Sequence, residues 1–206
     1  MRESCDVYFY EVSRRLGIDA IADMARMMGL GQVYNCGLPQ QRAGLVADPD
    51  WKRGRHNAGW LAGETVLAGI GQGYMLTTPL QLAHATATLA MRGKGFQPRL
   101  VRAVRDSRTG AVATLPPRPL PDVKVDDPGY WDTIIGGMIG VVSPGGTAVR
   151  VQAGAPYKVA GKTGTAHKQE ANGYADKKYR AWFVGLAPID KPRIVVAVMV
   201  DEPNNG

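Results

Sequence analysis

A lysine, two threonines and a glycine stand together as Lys162-Thr163-Gly164-Thr165, near the end of a chain of 206 residues. An ammonium and two hydroxyls so close in sequence can bind an anion or pass a proton. Such a cluster occurs in phosphate-binding loops and along one wall of sites in which a serine is acylated. Alone, it is also compatible with the end of an ordinary strand.

The phosphate-binding interpretation fails on spacing and on context. A P-loop has the pattern G-x-x-x-x-G-K-S/T and then opens a helix. Its first glycine would fall at Pro156, and the residues after Thr163 have a strand-like pattern. The stretch GIGQG at 69–73 also departs from the dinucleotide-binding fingerprint, because Tyr74 replaces the third glycine. We interpret GIGQG as a turn that brings backbone close to another group.

In a serine-acylating site each residue of Lys-Thr-Gly-Thr has a chemical task. The Lys162 ammonium attracts a substrate carboxylate and orders nearby proton carriers, and the Thr163 hydroxyl can donate a hydrogen bond to that carboxylate. Gly164 has no side chain to block a peptide laid along the strand edge. The backbone N–H of Thr165 can donate to a developing oxyanion.

A second element of such sites is Ser-x-Asn, and Ser4-Cys5-Asp6 has that form with Asp in place of Asn. In this interpretation Ser4 relays a proton, and Asp6 binds a substrate amide or orients the active-site lysine. The alternative is that Ser4 or Asp6 is simply the N-cap of a helix.

Helices that would position these residues are predicted from caps and periodicity. The N-terminal stretch indicates two helices, the first closed by Gly17 and the second by Gly29 or Gly31. The stretch TTPLQLAHATATLAMRG predicts a helix capped by Thr77 or Thr78, with Pro79 in the first turn and Gly93 past the end. YWDTIIGGMIGVV predicts a fourth helix, which ends at the turn SPGGT. Residues 34–73, rich in Gly, Pro and Asn, indicate a long surface loop system.

The C-terminal part favours strands. Pro98 to Arg105 indicates a short strand, followed by the proline-rich surface connection ATLPPRPLPDVKVDDPG. Three further strands are predicted within PYKVAGKTGTA, KYRAWFVGLAPI and PRIVVAVMVDE, with HKQEANGYADKK as a loop between the first two. Helices followed by such a run of strands indicate an α+β fold.

Composition excludes several classes of function. The chain is 45% hydrophobic with a net charge of +7, but its Lys and Arg residues are scattered and no nucleic-acid-binding motif occurs. Cys5 and Cys36 lack metal-site spacing, so no metal is expected. The longest apolar run, Ile194 to Val200, is far shorter than the about 20 residues that span a bilayer.

SCDVYFYEVSRRLGID, GIGQGYMLTTPLQLAHATATLA and YKVAGKTGTA together resemble the transpeptidase domain of class B penicillin-binding proteins, in the order of that family. The first stretch and DPDWKR are most similar to penicillin-binding protein 2, the elongation-type enzyme. The C-terminal third is also similar to penicillin-binding protein 3, the division type. The resemblance covers nearly the whole chain.

The resemblance implies a penicillin-binding-protein/β-lactamase-like transpeptidase fold, a mixed sheet flanked by helices, with the Lys-Thr-Gly on an inner strand beside the cleft. It implies a serine-type D,D-transpeptidase that crosslinks stem peptides ending in D-Ala-D-Ala, is acylated by β-lactams and needs no cofactor. Ser4, Asp6 and Lys162 would be catalytic, and Thr163, Gly164 and Thr165 would bind substrate. The expected setting is the periplasmic face of the inner membrane, with a membrane glycosyltransferase and other elongation-complex proteins as partners.

The serine nucleophile of that family lies in Ser-x-x-Lys, and this chain has no such motif. The residues three positions after its four serines, Ser4, Ser13, Ser107 and Ser143, are Val7, Leu16, Gly110 and Gly146. We therefore expect residues 1–206 to be a partial transpeptidase domain, incomplete at both ends, that lacks the nucleophile segment and the C-terminal helix. Such a fragment would form no acyl-enzyme and would leave apolar faces exposed.

Two alternatives remain open from the sequence. The first is a D,D-carboxypeptidase or β-lactamase-like hydrolase, in which water rather than an amine accepts the acyl group. The second is a degenerate module that binds peptidoglycan or partner proteins without catalysis. The intact Lys-Thr-Gly-Thr argues against decay, and the absent Ser-x-x-Lys argues for it unless the serine lies outside this chain.

Overall fold

Helices and one short β-hairpin precede a three-stranded sheet in the chain. The computed structural model describes residues 1–170 and 173–202, with the backbone alone for 169–170 and 173–177. Its elements are α1 (Asp6–Leu16), α2 (Ile18–Met27), α3 (Pro49–His56), α4 (Ala62–Gly69), α5 (Pro79–Ala90), β1 (Ala103–Arg105), β2 (Val112–Thr114), α6 (Gly129–Val142), α7 (Val149–Gln152), β3 (Ala160–Glu170), β4 (Gly173–Ala187) and β5 (Ile194–Asp201).

The N-terminal helices end as predicted but begin differently. Gly17 closes α1 with a φ of 79°, and Gly29, with a φ of 90°, lies two residues past the end of α2. The N-cap of α1 is Cys5, which makes no side-chain capping bond, so the N-cap interpretation of Ser4 and Asp6 is wrong. Ser4 precedes the cap, with a φ of 53°, and its hydroxyl contacts another part of the chain.

The segment 34–73 is not only loop, because it contains α3 and α4. Asp48 caps α3 by accepting a hydrogen bond from the Trp51 N–H at 2.7 Å, and Pro49 opens the helix. The Lys52 ammonium donates to Glu64 at 2.5 Å, and Glu64 in turn accepts from the Leu61 N–H at 2.7 Å. The capping bonds of each helix and the ion pair between the helices stabilise two short helices that local periodicity does not reveal.

Helix α5 is the element that the sequence describes best. Thr78 accepts from the Gln81 N–H at 3.2 Å, and the Gln81 side chain accepts from the Thr78 N–H at 3.0 Å, which forms a capping box. The Gln81 amide also donates to the carbonyls of Gln32 and Ala43, both at 2.7 Å. Gln81 therefore ties the start of α5 to the connection between α2 and α3.

The sheet is antiparallel, in the order β3-β4-β5. Its strands include the three predicted segments, but β3 continues to Glu170 and β4 begins at Gly173, so most of the predicted loop HKQEANGYADKK is paired strand. Residues 171–172 of that loop lie outside the described residues. The Lys-Thr-Gly is on an outer rather than an inner strand of the described sheet. The strand predicted from Pro98 is formed only at β1, which pairs with β2 in a separate hairpin.

The core lies between the sheet and two helices. Buried residues of α5 and α6 pack with one residue each from β3 and β4: Leu89, Ala90, Trp131, Ile135, Met138, Ala160 and Leu186. This packing confirms the predicted helix YWDTIIGGMIGVV as α6. This packing positions β3 so that its edge away from β4 faces the start of α1, and that edge forms one side of the candidate active site.

Candidate active site

The edge of β3 that faces away from β4 pairs with no strand in the described part of the chain, and it presents backbone groups to a cleft. The Lys162 ammonium donates to the carbonyl of Thr163 at 2.7 Å, and the Gln72 side-chain amide donates to the carbonyl of Thr165 at 2.9 Å. In an antiparallel strand the N–H and C=O of one residue point to the same side. The N–H groups of Thr163 and Thr165 therefore also point away from β4, where an extended ligand can pair with them.

At the cleft, the N-terminal segment lies against β3. The Lys162 ammonium donates to the Ser4 hydroxyl at 2.5 Å, although 158 residues separate them in sequence. Burial lowers the pKa of Lys162, and the Asp6 carboxylate in the first turn of α1 acts in the opposite direction. Lys162 is thus a half-buried cation that contacts a hydroxyl and lies within the field of a carboxylate, an arrangement that can hold and pass protons.

Thr163 is held by a residue that sequence reasoning missed. Its hydroxyl forms a hydrogen bond of 2.8 Å with the hydroxyl of Thr147, in the turn after α6. The Thr147 N–H donates to the Arg2 carbonyl at 3.4 Å, and the Arg2 guanidinium donates to the Pro144 carbonyl. The turn SPGGT thus connects β3 to the N-terminus, a role that its glycine-rich composition alone does not indicate.

The opposite wall of the cleft is the segment 70–77. Gly71 and Gly73 have φ values of 75° and 72°, which favour glycine, and they bend the chain so that Gln72 reaches β3. An isolated bridge between Leu45 and Leu76 fixes the end of this wall. The interpretation of GIGQG as a turn that approaches another group is confirmed, although the contact is made by the side chain of Gln72.

The floor of the cleft comes from one face of β3 and β4. Lys162, Gly164 and Ala166 lie opposite Val184, Trp182 and Arg180 in the register, and all six line the cleft. A Cβ at position 164 would stand 3.4 Å from the Cβ of Trp182, so Gly164 leaves the indole open to the cleft.

The structure therefore brings Ser4, Lys162, Thr163 and Thr165 together around one cleft, with Asp6 close to the lysine and Gly164 in its floor. Among the residues that the structure describes, no group of three or more His, Cys, Asp or Glu side chains could hold a metal ion. No helix in the described part of the chain is both long and apolar enough to cross a membrane.

Comparison with known proteins identifies the family. All residues from 1 to 206 match the family described as "Penicillin binding protein transpeptidase domain". The chain belongs to this family. The resemblance seen in the three sequence stretches is thus confirmed, and with it the transpeptidase fold of the penicillin-binding proteins.

Relatives of this transpeptidase domain include peptidoglycan D,D-transpeptidases named MrdA. The chain is 35% identical over 216 residues to peptidoglycan D,D-transpeptidase MrdA of Haemophilus influenzae, covering 99% of this chain and 33% of that protein. It is 36% identical over 219 residues to MrdA of Acinetobacter baumannii, covering 98% of this chain and 31% of that protein. The chain thus spans about a third of the length of these relatives.

Solved penicillin-binding proteins share the fold. PBP2 of Pseudomonas aeruginosa, in complex with WCK 5153, has a TM-score of 0.81 at 38% identity over 96% of this chain and 42% of its own. PBP2 of Helicobacter pylori, in complex with MreC, has a TM-score of 0.80 at 30% identity, and the match covers 98% of this chain and 35% of that one. PBP3 of Mycobacterium tuberculosis, complexed with aztreonam, has a TM-score of 0.78 at 31% identity, and the match covers 98% of this chain and 44% of that one. The transpeptidase domain thus resembles both types, as its sequence indicates.

Proposed function

We propose that the whole protein is a serine-type peptidoglycan D,D-transpeptidase of the elongation type, and that this chain forms part of its periplasmic domain. The observation that carries the proposal is the hydrogen bond from Lys162 to Ser4, beside a β3 edge whose Thr165 N–H points into the cleft. The MrdA relatives support the elongation type. On this proposal an N-terminal segment outside the chain anchors the protein to the inner membrane.

The donor substrate is a stem peptide that ends in D-Ala-D-Ala. Its terminal carboxylate binds the Lys162 ammonium and the Thr163 hydroxyl, which Thr147 orients. Laid along the β3 edge, the peptide places its scissile carbonyl oxygen at the Thr165 N–H, which stabilises the oxyanion. Gly164 keeps that path free of side chains.

A serine on a segment outside this chain attacks the scissile carbonyl. The C–N bond breaks, an ester forms to the serine, and D-Ala leaves with a proton on its nitrogen. The Ser4 hydroxyl accepts a hydrogen bond from Lys162, so its own proton is directed elsewhere and can be relayed to the leaving amine. An acceptor amine then attacks the ester, forms the crosslink and returns a proton to the serine. β-Lactams acylate the same serine.

The partners proposed for the whole protein are elongation-complex proteins and a membrane glycosyltransferase. The H. pylori PBP2 that resembles this chain binds MreC, and another similar structure is described as showing structural coordination of polymerization and crosslinking by a peptidoglycan synthase complex. These neighbours support a role in assembly as well as catalysis.

Fluorescent penicillin tests the proposal. We expect the whole protein to be labelled at a serine in Ser-x-x-Lys, and the isolated 206-residue chain to remain unlabelled. Lys162→Gln should slow acylation of the whole protein by about 10²- to 10⁴-fold. Lys94→Gln, at an exposed position beyond α5, serves as the matched control. Labelling of the isolated chain, or normal labelling of the Lys162 variant, would contradict the proposal.

A product assay distinguishes this function from its rivals. A transpeptidase gives crosslinked dimer from lipid-linked strands, whereas a D,D-carboxypeptidase or β-lactamase gives only free D-Ala or hydrolysed β-lactam. A binding module gives neither product. We expect dimer from the whole protein, and its absence in the presence of penicillin.

A further inference from the structure

An arginine without a role in the proposed reaction lines the far end of the cleft. Arg180 on β4 lies opposite Ala166, two register positions beyond the pair formed by Trp182 and Gly164. Because their cross-strand partners are small, the side chains of Arg180 and Trp182 are not covered from β3. The Arg180 side chain is 37% exposed, so a ligand in the cleft can reach it.

Asp201 orients the Arg180 guanidinium but leaves most of its donors available. Arg180 donates from Nε to Asp201 at 2.9 Å, which is the one hydrogen bond that its side chain makes to another described residue. A guanidinium has five N–H donors in a rigid plane, and the edge formed by its two terminal nitrogens matches a carboxylate. Asp201 also accepts from Lys168 at 3.0 Å, so its negative charge is shared between two cations.

The direction of a bound peptide sends its upstream residues toward Arg180. With the terminal carboxylate at Lys162 and Thr163 and the scissile carbonyl at Thr165, the chain continues past Ala166. The four residue steps from Lys162 to Ala166 span about 14 Å along a strand. The cleft therefore has a cation at each end of this span, Lys162 and Arg180, with the Trp182 indole between them.

We propose that Arg180 and Trp182 form a subsite for the third residue of the donor stem peptide and favour a third residue whose side chain ends in a free carboxylate. The Arg180 guanidinium binds that carboxylate in a bidentate manner, and the indole packs against the aliphatic part of the side chain. This inference rests on the proposed transpeptidase function, and Arg180 acts in it as a specificity residue without taking part in the chemistry.

Two pentapeptide donors test the subsite in the whole protein. Both end in D-Ala-D-Ala, and they differ only in whether the side chain of the third residue ends in a carboxylate or in its carboxamide. Release of D-Ala is followed for each, and benzylpenicillin acylation is measured in parallel. We expect kcat/KM to be about tenfold higher for the carboxylate peptide, because hydrogen bonds to a charged group exceed those to a neutral one.

The variants separate the subsite from the rest of the cleft. Arg180→Gln should reduce the ratio of the two kcat/KM values to about one. Arg180→Lys should retain part of the preference for the carboxylate peptide, because the positive charge remains while the planar, bidentate guanidinium is lost. Arg102→Gln, on the loop before β1, is the matched control that keeps the wild-type ratio. Salt should reduce the preference of the wild type.

The outcomes distinguish this inference from the proposed function. Equal rates for the two peptides in the wild type, or a preference that persists in Arg180→Gln, would overturn the subsite while normal penicillin acylation upholds the transpeptidase. Failure of the whole protein to react with penicillin and with both peptides would overturn the proposed function, and the subsite with it.

Discussion

At the scale of single residues, Lys162 combines two opposed electrostatic influences. Burial lowers its pKa, whereas the carboxylate of Asp6 raises it. In the proposed reaction the protonated lysine donates to Ser4 and attracts the substrate carboxylate. In that reaction Asp6 therefore acts through Lys162 as well as on the substrate, because its negative charge keeps the lysine protonated up to a higher pH.

Asp6→Asn tests this task. Removing the carboxylate removes the influence that raises the pKa of Lys162, so that pKa falls and the lysine loses its proton at lower pH. The alkaline limb of the pH profile for β-lactam acylation by the whole protein should move to lower pH, with little change in rate at its optimum. Asp19→Asn, on the exposed surface of α2, is the control. An unshifted alkaline limb would show that Asp6 does not act through Lys162.

At the scale of elements, the segment 70–77 is positioned by α3 and α4. Tyr74 contacts Trp51 of α3, with ring centroids 5.0 Å apart and ring planes tilted by 56°, and its hydroxyl contributes to the lowered pKa of Glu64 in α4. From this support Gln72 reaches the Thr165 carbonyl. The short helices that local sequence signals did not reveal thus hold one wall of the cleft.

Gln72→Leu should widen the cleft without unfolding the domain. The substitution keeps the approximate volume but removes the donor to the Thr165 carbonyl, so the adjacent Thr165 N–H is less firmly placed. We expect acylation by a β-lactam to slow about tenfold, the equivalent of one lost hydrogen bond, with an unchanged melting temperature. Gln97→Leu, which removes a side-chain donor to the Asn35 carbonyl away from the cleft, is the matched control. An unaltered acylation rate would mean that Gln72 does not position β3.

The ion pair between Lys52 and Glu64 should be the main tertiary support of α3 and α4. Their side chains are only 7% and 16% exposed. Burial works to raise the pKa of Glu64, but hydrogen bonds from Lys52 and from the Leu61 N–H outweigh it, and the pKa lies below its usual value. Lys52→Met leaves this carboxylate buried without its cation, which destabilises by about 3–5 kcal/mol.

Denaturant unfolding of the whole protein, followed in the transpeptidase domain, measures this loss. Adding Glu64→Gln to Lys52→Met should recover part of it, because the amide can still accept from Leu61 without a buried charge. Because the pKa of Glu64 is lowered on folding, its contribution is present above the unfolded pKa and lost as the pH falls through the folded value. A Lys52→Met loss below about 1 kcal/mol would match an exposed pair instead.

At the scale of the whole molecule, sequence reasoning succeeded where a signal is local. Thr77 or Thr78 as the cap and Pro79 in the first turn predict the start of α5 within a few residues, and Lys-Thr-Gly-Thr and Ser-x-Asp supply site residues that the fold brings together. Gln72, Thr147 and Arg180 could not be found in this way. Each is a single polar residue whose partner lies far away in sequence, so its place is decided by packing.

On one face of the sheet, the part formed by β5 is exposed in the described part of the chain, although Phe183 of β4, on the same face, packs against α6. Alternate residues of β5 point outward along it: Ile194, Val196, Val198 and Val200 are 63%, 46%, 44% and 49% exposed. β5 is also an outer strand of the described sheet, so a strand edge without a partner among the described residues lies beside this apolar row. Such an edge pairs readily with another chain.

We therefore expect the isolated 206-residue chain to self-associate, and Val196→Lys with Val198→Glu to raise its soluble, monomeric fraction in size-exclusion chromatography. Val104→Lys on β1, at a residue 55% exposed, is the matched control and should not help. In the whole protein the same β5 pair should instead lower the melting temperature if further segments cover this face, because charges would then be buried. A monomeric isolated chain with a cooperative, high-temperature transition would show that the exposed face is tolerated.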